Sequence, residues 1–156
     1  MKNSLCLLVF AVLLSCSTDK TYEQLRTENA DVKTSTGALT GVIGSVDRVS
    51  GKIAFRQSQE TLVASFNSML KTKSGIAAQL ERVSIEETYS GDYYLRGYGK
   101  KYKSTMVLQN DGYGNLVDGG VTCTTSTCTT THGCEAKTDG TCSYCSDCTK
   151  TSTGGY

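Results

Sequence analysis

The first regular spacing of apolar positions along the chain lies in SQETLVASFNSMLKTKSG, where Leu62, Val63, Phe66, Met69 and Leu70 recur at i, i+1, i+4, i+7 and i+8. That is the stripe of an amphipathic helix. Ser58 offers a capping oxygen at its start, and Lys71, Lys73 and Gly75 suit its end. The pattern predicts a helix from about Ser58 to Lys73, with Phe66 central on the buried face and Ser65 and Asn67 turned to water. Past Gly75 the period shortens to two. Val83, Ile85 and Glu87 alternate in ERVSIEETYS, Tyr93 and Leu95 alternate against Tyr94 and Arg96 in GDYYLRGYG, and Met106 and Leu108 alternate in YKSTMVLQN. Turn residues separate these runs at Ser90-Gly91-Asp92, at Gly97 to Lys101 and at Asp111 to Asn115, before a final Asn115-Leu116-Val117. Such runs predict an antiparallel meander of about four strands.

A one-sided helix needs a partner surface, and the meander supplies one. The expected fold class is therefore α+β, with one amphipathic helix packed on an antiparallel meander of about four strands within residues 37–120. A helix followed by four strands resembles cystatin-like folds in layout alone. The Gln-Val-Val-Ala-Gly hairpin of cystatin-type inhibitors has no counterpart in this chain, so the resemblance implies no protease inhibition. GALTGVIGSVDRVSG, from Gly37 to Gly51, scatters its apolar residues among glycines and reads as irregular chain or a short strand. Residues 121–156 contain no Ile, Leu, Met or Phe, and are expected to form a Cys/Thr-rich tail without a hydrophobic core of its own.

The amino terminus carries a different pattern. In MKNSLCLLVFAVLLS a single cation, Lys2, precedes an apolar run from Leu5 to Leu14. This is the form of a secretory signal, and the run is well short of the ~20 residues of a membrane-spanning helix. The junction Leu13-Leu14-Ser15-Cys16 resembles the lipobox of bacterial lipoproteins. The resemblance implies that residues 1–15 are removed as a signal peptide, that Cys16 is acylated, and that the membrane is a partner through this lipid anchor. Residues 16–36 would then be the lipidated cysteine and a polar tether. Ser17, standing where an aspartate would retain an enterobacterial lipoprotein in the inner membrane, implies the outer membrane, on either its periplasmic or its surface face.

Composition narrows the partners. Sixteen Lys and Arg stand against fifteen Asp and Glu, a net charge of +1 that gives no reason to propose nucleic acid. The six cysteines of the tail, Cys123, Cys128, Cys134, Cys142, Cys145 and Cys148, have the spacing C-x4-C-x5-C-x7-C-x2-C-x2-C. An even number in an exported segment predicts three disulfides, with about fifteen pairings open. The rival chemistry is zinc, since Cys142, Cys145 and Cys148 with His132 and Cys134 nearby offer thiolate and imidazole ligands. A third alternative comes from Gly119-Gly120, which stands before the Cys/Ser/Thr-rich stretch and resembles the leader end of precursors of ribosomally made modified peptides. Such cores are modified in the cytosol, and the export signal argues against that route. Gly97-x-Gly99 and Gly112-x-Gly114 lack the helix and the Gly-Lys-Ser/Thr of a phosphate loop and read as turns.

Tyr94, Arg96, Tyr98, Lys100 and Tyr102 interleave aromatic rings with cations, a strip on which a sugar can stack or an anionic polymer can settle. No arrangement of acid, base, nucleophile or metal ligand in the domain points to catalysis. The expectation is a non-enzymatic binding or structural module of the bacterial cell envelope, without cofactor, whose partner is an envelope protein or a glycan.

Overall fold

The structure is a computed structural model and describes residues 39–154. The expected signal peptide, Cys16 and the expected tether lie outside the described residues. The chain forms β1 (Gly44–Val46), β2 (Ile53–Phe55), α1 (Gln59–Ser74), β3 (Leu80–Glu87), β4 (Tyr93–Gly99), β5 (Lys103–Asn110), β6 (Asn115–Thr125), β7 (Glu135–Ala136), β8 (Cys142–Ser143) and β9 (Thr149–Ser152). Seven strands make one antiparallel sheet in the order β2-β1-β6-β5-β4-β3, with β9 also paired to β6. The sheet curls into a nearly closed, barrel-like form. At Gly44 of β1 a Cβ would run into the Ile85 side chain of β3, so strands far apart in the sheet order meet face to face.

This architecture overturns the expected helix on a small meander. The fold is mostly β, and the reason lies in β6. It runs for eleven residues, past the glycine pair, and takes two partners on one edge: β1 at Asn115 and Leu116, then β9 at Val121 to Thr124. The sequences of β1, β2 and β9 are GSV, IAF and TKTS, too short or too polar to register as periodic runs. They are strands because β6 and its neighbours offer ladder hydrogen bonds, and β propensity depends on that context.

The double glycine is what lets one strand serve both partners. Met106 faces Thr122 while Leu108 faces Asp118, so β6 has a bulge opposite Val107. A Cβ on Gly119 would lie 2.9 Å from both Val107 Cγ1 and Val107 O, and Gly120 has a φ of +90°. The bulge is tied down locally. Asp118 Oδ1 accepts from the Gly120 N–H at 2.8 Å and from Thr153 Oγ1 at 2.7 Å, and the Thr153 N–H donates to Gly120 O at 2.9 Å.

Inside the curl lies the main core. Ser58 caps α1 by accepting from the Thr61 N–H at 3.2 Å, and Leu62, Phe66, Met69 and Leu70 are fully buried against Leu80, Leu95, Met106, Leu108 and Leu116. Gly97 is a mid-strand residue of β4 rather than a turn. A Cβ there would stand 2.6 Å from Leu80 Cδ1 and 3.2 Å from Phe66 Cε1, so the bare backbone makes room for the Phe66 ring.

The Cys-rich segment folds onto the other face of the sheet. Tyr94 of β4, Val107 of β5 and Cys123 of β6 join Cys134 and Ala136 in a second buried cluster, against which Val121, Cys142, Cys145 and Cys148 pack. Residues 121–154 thus share a core with the sheet instead of lacking one. Three disulfides, Cys123–Cys142, Cys128–Cys145 and Cys134–Cys148, have Cα separations of 5.8, 6.3 and 5.8 Å and span 19, 17 and 14 residues. Each closure contributes ~3 kcal/mol. The first cysteine joins the fourth, the second the fifth and the third the sixth, so every loop interleaves with the other two.

Candidate functional site

Along β4 the side chains of Tyr94, Arg96 and Tyr98 share the sheet's outer face, two residues apart as a pleated strand requires. Arg96 is 4% exposed. Its Nε lies 3.1 Å from Glu86 Oε2 of β3, an ion pair off the line of an aligned hydrogen bond, and its Nη2 lies 3.8 Å from Glu135 Oε1 of β7. Its Nη1 donates to the His132 carbonyl, and Lys103 Nζ of β5 donates to the Thr131 carbonyl. Two cations of the sheet therefore hold two successive carbonyls of the Cys-rich cap. His132, expected among the zinc ligands, contributes its backbone carbonyl to this clasp.

Tyr98 is enclosed by the same network. Its hydroxyl donates to Glu86 Oε1 at 2.6 Å, the Arg82 guanidinium lies 3.7 Å from its ring centroid and Lys103 Nζ lies 5.3 Å from it. Both cations come from the strands flanking β4, and they compete with any sugar for the ring. Burial works against the Glu86 carboxylate, but hydrogen bonds from Tyr98 and Ser84 and the charge of Arg96 hold its pKa below the ordinary value. Burial and the bond to Glu86 push Tyr98 up, and burial with the nearby Arg96 brings Lys103 down.

The other two members of the strip lie elsewhere. Lys100 is in the β4–β5 turn, exposed, 3.6 Å from Glu81. Tyr102 packs against the inner core. The turn between β4 and β5 breaks the alternation, so five residues contiguous in sequence do not make one surface.

What forms instead is an open cleft of about 1080 Å³ between the β3–β4 hairpin and the cap. Glu86, Glu87, Tyr89 and Asp92 line one side, Tyr94 and Arg96 the floor, and His132, Glu135, Lys137, Asp139 and Tyr144 the cap side. Tyr89 and Tyr144 are exposed. Tyr94 is only 5% exposed, and among the described residues its hydroxyl has no hydrogen-bond partner. Burial raises its pKa, and the charges of Glu135 and Asp92 raise it further. Tyr89, Glu135 and Tyr144 carried no signal in the sequence, because what joins them is the cap folding over the sheet.

The cysteine sulfurs of Cys134, Cys145 and Cys148 lie within 4.8 Å of one another, where the zinc alternative would place a metal. In the structure the six cysteines of the Cys-rich segment are consumed in disulfides and offer no thiolate. Comparison of the chain with family models, with curated proteins and with solved structures yields no match.

Proposed function

We propose that the protein is a lipid-anchored, non-enzymatic binding module of the bacterial cell envelope that takes its ligand in the cleft between the β3–β4 hairpin and the disulfide-held cap. The cleft carries this reading. It is of ligand-binding size, it has exposed aromatic rings on two sides, and one wall is fixed to the other by Arg96 and Lys103. The acid best placed for chemistry, Glu86, is engaged by Tyr98, Ser84 and Arg96.

Support for the envelope address is chemical. Three disulfides suit an oxidising compartment, which is where the apolar run before Cys16 would send the chain. Two measurements test the reading. Cys16→Ala should move the protein out of the membrane fraction and abolish its acyl mass. Purified oxidised protein should bind isolated cell envelopes, and Tyr144→Ala should release it; binding that is indifferent to Tyr144 would place the ligand elsewhere.

A further inference from the structure

We infer that the cleft receives a positively charged side chain of a basic peptide, its ammonium held by the Tyr94 hydroxyl between Asp92 and Glu135 with the Tyr144 ring beside it. This rests on the reading of the cleft as a binding site and names the chemistry it selects.

Three observations carry the inference. Carboxylates stand on both sides, Glu87 and Asp92 on the hairpin and Glu135 and Asp139 on the cap. Arg96, paired with Glu86 and Glu135, and Lys137 are the two Lys or Arg side chains among the described residues that line the cleft, and they offset only part of its five carboxylates, Glu86, Glu87, Asp92, Glu135 and Asp139. Tyr94, 5% exposed as a residue, lines the cleft in the field of these acids, and its hydroxyl has no hydrogen-bond partner among the described residues. A phenol oxygen is an acceptor, and an ammonium has three donors to share among it and two carboxylates. A tyrosine face adds attraction for a cation, as the Arg82 guanidinium over Tyr98 illustrates in the same molecule. An anionic ligand would meet five carboxylates against Arg96 and Lys137 in the described lining.

The test is calorimetric titration of the full-length oxidised protein at low salt with three probes: a Gly-Lys-Gly-Lys-Gly peptide blocked at both ends, the same peptide acetylated on its lysines, and the trimer of N-acetylglucosamine. The lysine peptide should bind, about tenfold more tightly than its acetylated form. Tyr94→Phe, which removes only an unpartnered hydroxyl and should melt like the parent, should weaken it several-fold, and Asp92→Asn should do likewise. Equal binding of the two peptides, or an unchanged affinity in Tyr94→Phe, would overturn the inference. Glycan binding lost in Tyr144→Ala, without peptide binding, would also overturn it while leaving the cleft a binding site. Binding of none of the probes would overturn it as well.

Discussion

The side chain of Asn67 makes two hydrogen bonds to the backbone of Leu80: its Nδ2 donates to Leu80 O at 2.9 Å, and its Oδ1 accepts from the Leu80 N–H at 2.8 Å. A helix side chain thus substitutes for a neighbouring strand where β3 begins. The helical stripe alone turned Asn67 to water, and the structure corrects this. Asn67→Ala should lower stability by ~1–3 kcal/mol, since it strands both groups of Leu80, whereas Ser65→Ala should stay within ~0.5 kcal/mol. Thermal unfolding of the two variants distinguishes them, and equal melting temperatures would show that the pair contributes nothing.

Phe66 and Gly97 form a second coupled pair. Phe66→Ala should cost ~3–5 kcal/mol, as the ring is fully buried. Gly97→Ala should also destabilise, because its Cβ would press on Leu80 and on that ring. In the double variant the cost should fall short of the sum by at least ~0.5 kcal/mol, the removed ring having freed space. Denaturant unfolding of the four proteins measures the coupling; strict additivity would contradict the packing described.

The disulfides should open in a set order. Cys123 and Cys134 are buried, while both cysteines of the Cys128–Cys145 bridge are partly exposed. Thiol attack needs access, so graded reductant followed by alkylation should label Cys128 and Cys145 first. Full reduction should add about six mass units, two per bridge, and chelator alone should change nothing. Because Cys123 lies in β6, full reduction should also lower the stability of the sheet. Labelling of Cys123 and Cys142 ahead of the other pairs would count against this cap.

Acid should loosen the clasp. The Glu86 pKa is lowered by folding from its ordinary value of 4.5, so the carboxylate contributes stability that is fully present above that value and is lost as pH falls through the lower, folded one. Glu86→Gln should therefore be less stable than the parent at neutral pH, and the difference should shrink as pH drops below 4.5. A difference that is constant with pH would mean that the charge of Glu86 does no work.

How much of this was legible in the sequence depends on which residues carry their own signal. Leu62, Phe66, Met69 and Leu70 repeat with the helical period, and Leu95, Met106 and Leu108 with the strand period, so α1 and parts of β4 and β5 were readable. β9 was not, because TKTS buries Thr151 and Thr153 follows it into the bulge, and threonine burial has no apolar pattern. Gly119-Gly120 looked like a boundary, since a break in alternation is the same in sequence whether a strand ends or bulges. Of the site, Tyr94 and Arg96 were singled out, but their acidic partners Glu86 and Glu135 lie on other elements and meet them only through the sheet register and the cap.

Interleaved bridges have a bearing on how the chain withstands proteolysis. Every peptide bond between Cys123 and Cys148 lies within at least one disulfide loop, and those between Cys134 and Cys142 lie within all three. A protease that cuts once in the exposed loop around Lys137 and Asp139 would release no fragment. The nicked chain would remain one covalent molecule, with both walls of its cleft still joined.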